Sequence, residues 1–140
     1  RFGIEPKAAL VSHSNFGSRE SATAHKMRRA VELIAELAPE LEADGEMHGD
    51  SAISEALRNK VMPTSGLTGE ANLLVFPNLD AANIALGVVK TMLDALHVGP
   101  ILLGTANPAH ILSPSDTSRG VVKMATLAVV QASIPEYIVP

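Results

Sequence analysis

The sequence predicts an α/β protein, three layers α/β/α around a mainly parallel sheet. Three observations predict it. Short apolar runs alternate with segments of helical period. Each run is followed by a polar loop and then a helix, the order that parallel strands with crossover helices require. Apolar residues make up 46% of the 140 positions, enough for the core of one domain or of part of a larger one.

The elements follow in order. Ala8-Ala9-Leu10-Val11 is a short strand, and the polar loop 12–18 follows it. A helix is expected from about Ser21 to Ala38, because Met27, Ala30, Val31, Ile34, Leu37 and Ala38 recur at three- and four-residue steps and share a face. Pro39 lacks the donor that a further turn needs. The segment 41–46 reads as a strand ending in a turn at Gly45-Glu46. Asp50 or Ser51 can cap a single short helix through Lys60, with Ile53, Ala56, Leu57 and Val61 as its core face. Leu73-Leu74-Val75-Phe76 is uniformly apolar and closed by Pro77, the pattern of a strand buried on both faces. Asn78 or Asp80 then caps a helix to about Leu96, with Ala81, Ile84, Ala85, Val88, Met92 and Ala95 as its core stripe. Ile101-Leu102-Leu103 is expected to be a last strand, and a final helix to run from about Ser118 to Ala132. Residues 1–133 read as part of one globular domain, and 134–140 as a tail or connector.

Composition excludes several function classes. The net charge is −4 and aromatics are 3%, which argues against a nucleic-acid surface with stacking platforms. Cysteine is absent, so disulfides and Cys-ligated zinc are excluded, and a reducing cytoplasm is the expected location. No apolar run approaches the ~20 residues that span a bilayer. The sequence starts without Met or a signal-peptide apolar segment and reads as a piece of a longer chain.

In an open α/β sheet ligands bind outside the carboxyl ends of the strands, which directs attention to loops 12–18, 77–80 and 104–119. Thr117 or Asp116 can cap the last helix, placing Arg119 in its first turn. A cation there opposes the helix dipole unless an anion occupies the same end. Free N–H groups, the Thr117 and Ser118 hydroxyls and the Arg119 guanidinium would together cradle a phosphate or carboxylate. The alternative is an Arg119 paired with Asp116 or another carboxylate. Ser12, Ser14 and Ser18 are possible ligand donors or ordinary turn residues, and His13 is a possible proton carrier. Asp44, Glu46, His48 and Asp50 alternate, so an extended stretch would put them on one side, as metal ligands or as a solvated edge. No His belongs to a spaced catalytic set, and no Gly-rich phosphate fingerprint is present.

These residues carry a resemblance. Asp44-Gly45-Glu46, the run Gly69-Glu70-Ala71-Asn72 continuing through Phe76-Pro77-Asn78-Leu79 to Asn83-Ile84, Gly99-Pro100-Ile101-Leu102-Leu103-Gly104, Asn107-Pro108 and Ser118-Arg119-Gly120 resemble the phosphate acetyltransferase (phosphotransacetylase) family over residues 8 to 132. Glu46-Met47-His48-Gly49-Asp50, Pro108-Ala109-His110-Ile111-Leu112 and Ser118 through Met124 are more narrowly similar to the phosphotransacetylase-like C-terminal domain of bacterial multidomain NADP-dependent malic enzymes. The resemblance implies the C-terminal part of that domain. It also implies an upstream domain that decarboxylates malate to pyruvate with NADP and a divalent metal, Mg or Mn. No cofactor is implied within these 140 residues, and acetyl-CoA or a related acyl-CoA is the implied ligand.

Active members of the family carry a base-supplying Asp a few residues after the Ser-Arg pair. Here Gly120-Val121-Val122-Lys123-Met124-Ala125-Thr126-Leu127 follows, and the only later acid is Glu136. A base must reach the proton it takes. The chain is therefore assigned no catalytic residue and no metal ligand. It is expected to bind acetyl-CoA through Ser118 and Arg119, with Thr117, Asn107, Ser12 and Ser14 as further contacts, and to regulate and assemble a homo-oligomeric malic enzyme. An active acetyltransferase using Asp116 or His110, and a purely structural module, are the alternatives.

Overall fold

The computed structural model describes residues 3–93, 97–112, 114 and 116–133. They fall into two compact units, one ending at Gly87 and the other beginning at Val88. In the first, β1 (Lys7–Val11), β2 (Glu42–Met47) and β3 (Leu73–Val75) form a parallel sheet in the order β2-β1-β3. The expected α/β class with a parallel sheet is what forms. Ala8, Ala9, Leu10 and Val11 are all buried, and successive side chains point to opposite faces, so both faces of β1 are covered.

One face holds the main core. Ala9 and Val11 meet Met47, Ala52 and Leu67, with Phe16, Ala71, Leu74 and Phe76 packed around them. The helix α1 (Ala22–Leu37) lies against β1 and β2. Ser21 caps it by accepting from Ala24 N at 3.1 Å, and Ala24 and Met27 are its buried residues. Its expected apolar stripe fades toward the C-terminus, where Leu37 is 81% exposed.

Five expectations need correction. The strand β2 does not turn at Gly45-Glu46 but runs through both to Met47, because Gly45 lies against Leu10 and lets the two backbones approach. The single helix expected through Lys60 is two, α2 (Gly49–Ile53) and α3 (Glu55–Val61), because the extended Ser54 ends one and caps the next. Ile53, Leu57 and Val61 are exposed rather than core. The strand β3 is not buried on both faces: it is the outer strand, and Leu73 and Val75 are 46% and 38% exposed. The segment 101–103 forms no strand.

The helix α4 (Leu79–Met92) follows β3 and carries no buried residue. Its stripe of Ile84, Val88 and Met92 is exposed, because no described element covers it. The end expected near Leu96 and the stripe residue Ala95 lie outside the described residues, as does the connector over 134–140. In the second unit α5 (Ser118–Ser133) buries Met124 and Gln131, and His110 Nε2 meets Gln131 Oε1 at 2.9 Å.

Candidate functional site

The carboxyl ends of all three strands open onto one cleft of about 430 Å³. Val11, Ser12 and His13 come from the end of β1, Gly49 follows β2, and Phe76, Pro77 and Asn78 follow β3. Thr23 and Ala81 close it from the first turns of α1 and α4. Two of the three loops expected to hold a ligand, 12–18 and 77–80, therefore meet here. The walls are largely apolar and carry the hydroxyls of Ser12 and Thr23, the His13 imidazole and the Asn78 amide, with no acid, lysine or arginine among them. Asn78 also caps α4, since its Oδ1 accepts from Ala81 N at 2.9 Å.

Behind the cleft wall sits Glu46, fully buried on β2. Its Oε1 accepts from Ser14 Oγ at 2.7 Å and from Gly17 N at 2.8 Å, while Arg28 Nε reaches Oε2 at 3.1 Å. Burial alone would raise the Glu46 carboxyl. The donors from Arg28, Ser14 and Gly17 outweigh burial and hold it at about 2. The same contact raises the Arg28 guanidinium. Nothing in the spacing of Ser14, Arg28 and Glu46 announces this cluster. The only signal is a carboxylate near the end of a strand, a costly place for a charge if it is buried unpaired.

A buried cation was also missed by sequence reasoning. Arg58 on α3 is fully buried and donates to Ser51 O at 3.1 Å, Leu67 O at 2.8 Å and Gly69 O at 2.6 Å. It pins the loop that leads into β3. Glu42, beside this loop, accepts from Thr68 N and Oγ1, and these bonds lower its carboxyl.

The alternating acids and His disperse. Asp44 accepts from Ser65 Oγ and Gly66 N, Glu46 turns inward to Ser14, and His48 Nε2 lies 3.0 Å from His13 O. Among the described residues no group of three His, Cys, Asp or Glu side chains could hold a metal ion.

Of the expected ligand contacts, Ser12 lines the cleft. Ser14 is buried and gives its hydroxyl to Glu46. In the second unit Thr117, Ser118 and Arg119 open α5. Thr117 is the cap of the two considered, since its Oγ1 accepts from Gly120 N at 3.2 Å. Arg119 is exposed and forms no ion pair among the described residues, and Asn107 is exposed in the preceding loop.

The family described as Phosphate acetyl/butaryl transferase matches residues 1–129. The chain belongs to this family. Two solved phosphotransacetylases share its fold. The EutD phosphotransacetylase from Staphylococcus aureus superposes with a TM-score of 0.83 at 36% identity, over 94% of this chain and 41% of that one. A phosphotransacetylase from Streptococcus pyogenes does so with a TM-score of 0.85 at 33% identity, over 92% and 39%. The chain is also 78% identical over 135 residues to an NAD-dependent malic enzyme of Rhizobium meliloti (strain 1021), covering 96% of this chain and 18% of that protein. An NADP-dependent malic enzyme of Escherichia coli (strain K12) is 53% identical over 133 residues, 94% of this chain and 18% of the relative. This phosphotransacetylase-like chain thus spans less than a fifth of the malic enzymes it matches, and it corresponds to the segment of those enzymes that is homologous to phosphotransacetylases. Among the described residues no helix is long and apolar enough to cross a membrane.

Proposed function

We propose that the whole protein is a malic enzyme and that this phosphotransacetylase-like part is its acyl-CoA-binding regulatory and assembly module, without acetyl transfer of its own. One observation carries the reading. The helix α5 begins with Ser118 and an exposed Arg119, and its sixteen residues contain no carboxylate. The groups that would hold an anion are present, and a base on that helix to deprotonate a thiol is not. Ser118 and Arg119 would contact the anionic or acyl part of acetyl-CoA, with Thr117 and Asn107 beside them. The Ser12 hydroxyl would contact a ligand group in the strand-end cleft, and Ser14 would act through Glu46.

Regulation of this kind needs a ligand that binds two states of the enzyme unequally. A tenfold change in apparent malate affinity corresponds to about 1.4 kcal/mol of coupling. The decarboxylation of malate to pyruvate, with its nicotinamide coenzyme and its Mg or Mn ion, would belong to the remainder of the protein. The resemblance implied NADP, and the 78% identity to a protein named NAD-dependent favours NAD instead. A cytoplasmic homo-oligomer, a dimer or larger, completes the proposal.

The test uses the full-length protein. Acetyl phosphate and coenzyme A are supplied and acetyl-CoA formation is assayed, while acetyl-CoA is titrated against malate oxidation. A shift in malate turnover without acetyl transfer is the expected result. Robust acetyl transfer would favour the alternative of an active phosphate acetyltransferase, for which the 39% identity to the phosphate acetyltransferase of Paracoccus denitrificans speaks. Neither effect, with no acyl-CoA binding, leaves a structural module.

A further inference from the structure

The loop between β1 and α1 has no regular structure; some of its polar groups bond within it, as Asn15 N to Ser18 Oγ and Arg19 N to Ser14 Oγ, and others are tied to three consecutive residues of β2 and its end, Glu46, Met47 and His48. Ser12 N donates to Met47 O at 2.8 Å and Phe16 N to Glu46 O at 2.7 Å. The Asn15 Oδ1 accepts from His48 N at 2.6 Å. Ser14 Oγ and Gly17 N converge on Glu46 Oε1. Only this last pair uses a charged acceptor, and with the Phe16 N–H bond to Glu46 O it holds the far side of the loop, where Phe16 and Gly17 adopt positive φ of 46° and 85° in succession. A left-handed Phe is unfavourable by itself and persists where its surroundings impose it. The near side of the same loop, Ser12 and His13, is cleft wall.

We propose that Glu46 is a positioning residue, whose buried carboxylate holds the Ser12–Gly17 loop in the shape that lets the strand-end cleft receive its ligand. The choice of acyl-CoA as that ligand rests on the function proposed above; the loop geometry does not.

The chemistry requires a carboxylate. Oε1 takes two donors from the loop and Arg28 Nη2 at 3.3 Å, while Oε2 takes Arg28 Nε at 3.1 Å, so both oxygens act only as acceptors. A glutamine offers one oxygen and one NH₂. If its oxygen faces the loop, its NH₂ opposes the Arg28 guanidinium; if it faces Arg28, its NH₂ opposes Gly17 N–H. Either orientation gives up one side of the node. Arg28 anchors the carboxylate to α1, so the loop is fixed to strand and helix together.

The test compares Glu46→Gln, Ser14→Ala and Arg58→Lys in the full-length protein. The last is a control that weakens the fold through carbonyls outside this loop. Two quantities are read: hydrogen exchange at the amides of Phe16 and Gly17, and the Kd for acetyl-CoA by calorimetry. Glu46→Gln is expected to raise exchange at these amides at least tenfold, without a matching rise in the helices, and to weaken acetyl-CoA at least tenfold. Ser14→Ala does the same to a smaller extent. Arg58→Lys lowers the melting temperature and leaves the Kd unchanged. A folded Glu46→Gln protein with the wild-type Kd, or with exchange raised uniformly as in Arg58→Lys, overturns the proposal. If Glu46→Gln does not fold, Ser14→Ala decides by the same two criteria. If the wild-type protein does not bind acetyl-CoA, the ligand assignment falls and exchange alone decides. Loosening confined to the loop upholds the positioning role, and uniform loosening ends it.

Discussion

Ser14 Oγ donates a 2.7 Å hydrogen bond to Glu46 Oε1 across 32 positions of sequence, and both residues are fully buried. A serine that reads as a turn residue and a glutamate that reads as the end of a strand form one unit. Because the acceptor is charged and out of water, the bond belongs to the stronger class, about 1.5–3 kcal/mol net.

Replacing Glu46 by Gln should therefore cost about 2–3 kcal/mol of folding stability, and Ser14→Ala about 1–2 kcal/mol. Combined, the two should cost less than their sum, since both loosen the same buried hydrogen-bonded cluster. Urea unfolding of the two single variants and the double variant measures this directly; strict additivity would mean that the contact contributes nothing.

Acid should act through the same carboxyl. Glu46 stands at about 2 when folded, below its ordinary 4.5. A lowered carboxyl stabilises the fold at pH above the unfolded value, and that contribution is lost as pH falls from about 4.5 toward 2. Unfolding midpoints taken between about pH 6 and pH 2.5 should fall more steeply in the wild type than in Glu46→Gln. Parallel curves would show that other carboxylates govern acid unfolding.

Arg58→Met should be among the most damaging single changes, about 3–5 kcal/mol, because the carbonyls of Ser51, Leu67 and Gly69 lose their donors together. Thermal unfolding is the measurement. A loss below about 1 kcal/mol would mean that water replaces the guanidinium without penalty.

Gly45→Ala tests the sheet. A Cβ at this position would lie 2.6 Å from Leu10 O, and Gly45 holds φ +147°. The contact is backbone on the central strand and has no flexible end to yield. A loss above about 3 kcal/mol, or failure to accumulate folded protein, is expected. A Tm within about 2 °C of the wild type would show that β1 and β2 can separate locally at little cost.

Arg119→Ala should leave stability within about 0.5 kcal/mol, as the side chain is exposed. It should weaken the acetyl-CoA response about tenfold or more, the loss of one charge-assisted contact. Unchanged titration curves would move the anion site away from α5.

Much of the frame was legible in the residues alone. The three strands of the sheet, their parallel sense, the helix starting near Ser21 and two of the loops that meet at the cleft follow from periodicity and turn chemistry, and the family from motif strings. These are local properties, decided within a few positions of the chain. Burial was not legible in the same way. The run 73–76 and the stripe of α4 have core composition, yet they are exposed, since an apolar face states that it seeks cover and not which element supplies it. The polar interior was the least legible part. Glu46 finds Ser14 and Arg28 only after the sheet brings distant segments within about 3 Å of each other, a hydrogen bond's length, and Arg58 finds Leu67 and Gly69 only after the following loop folds back over α3. Hydrogen bonds of that reach depend on three-dimensional position and leave no period in the chain, so tertiary structure alone decided which charges are buried, what they hold and how the cleft wall is shaped.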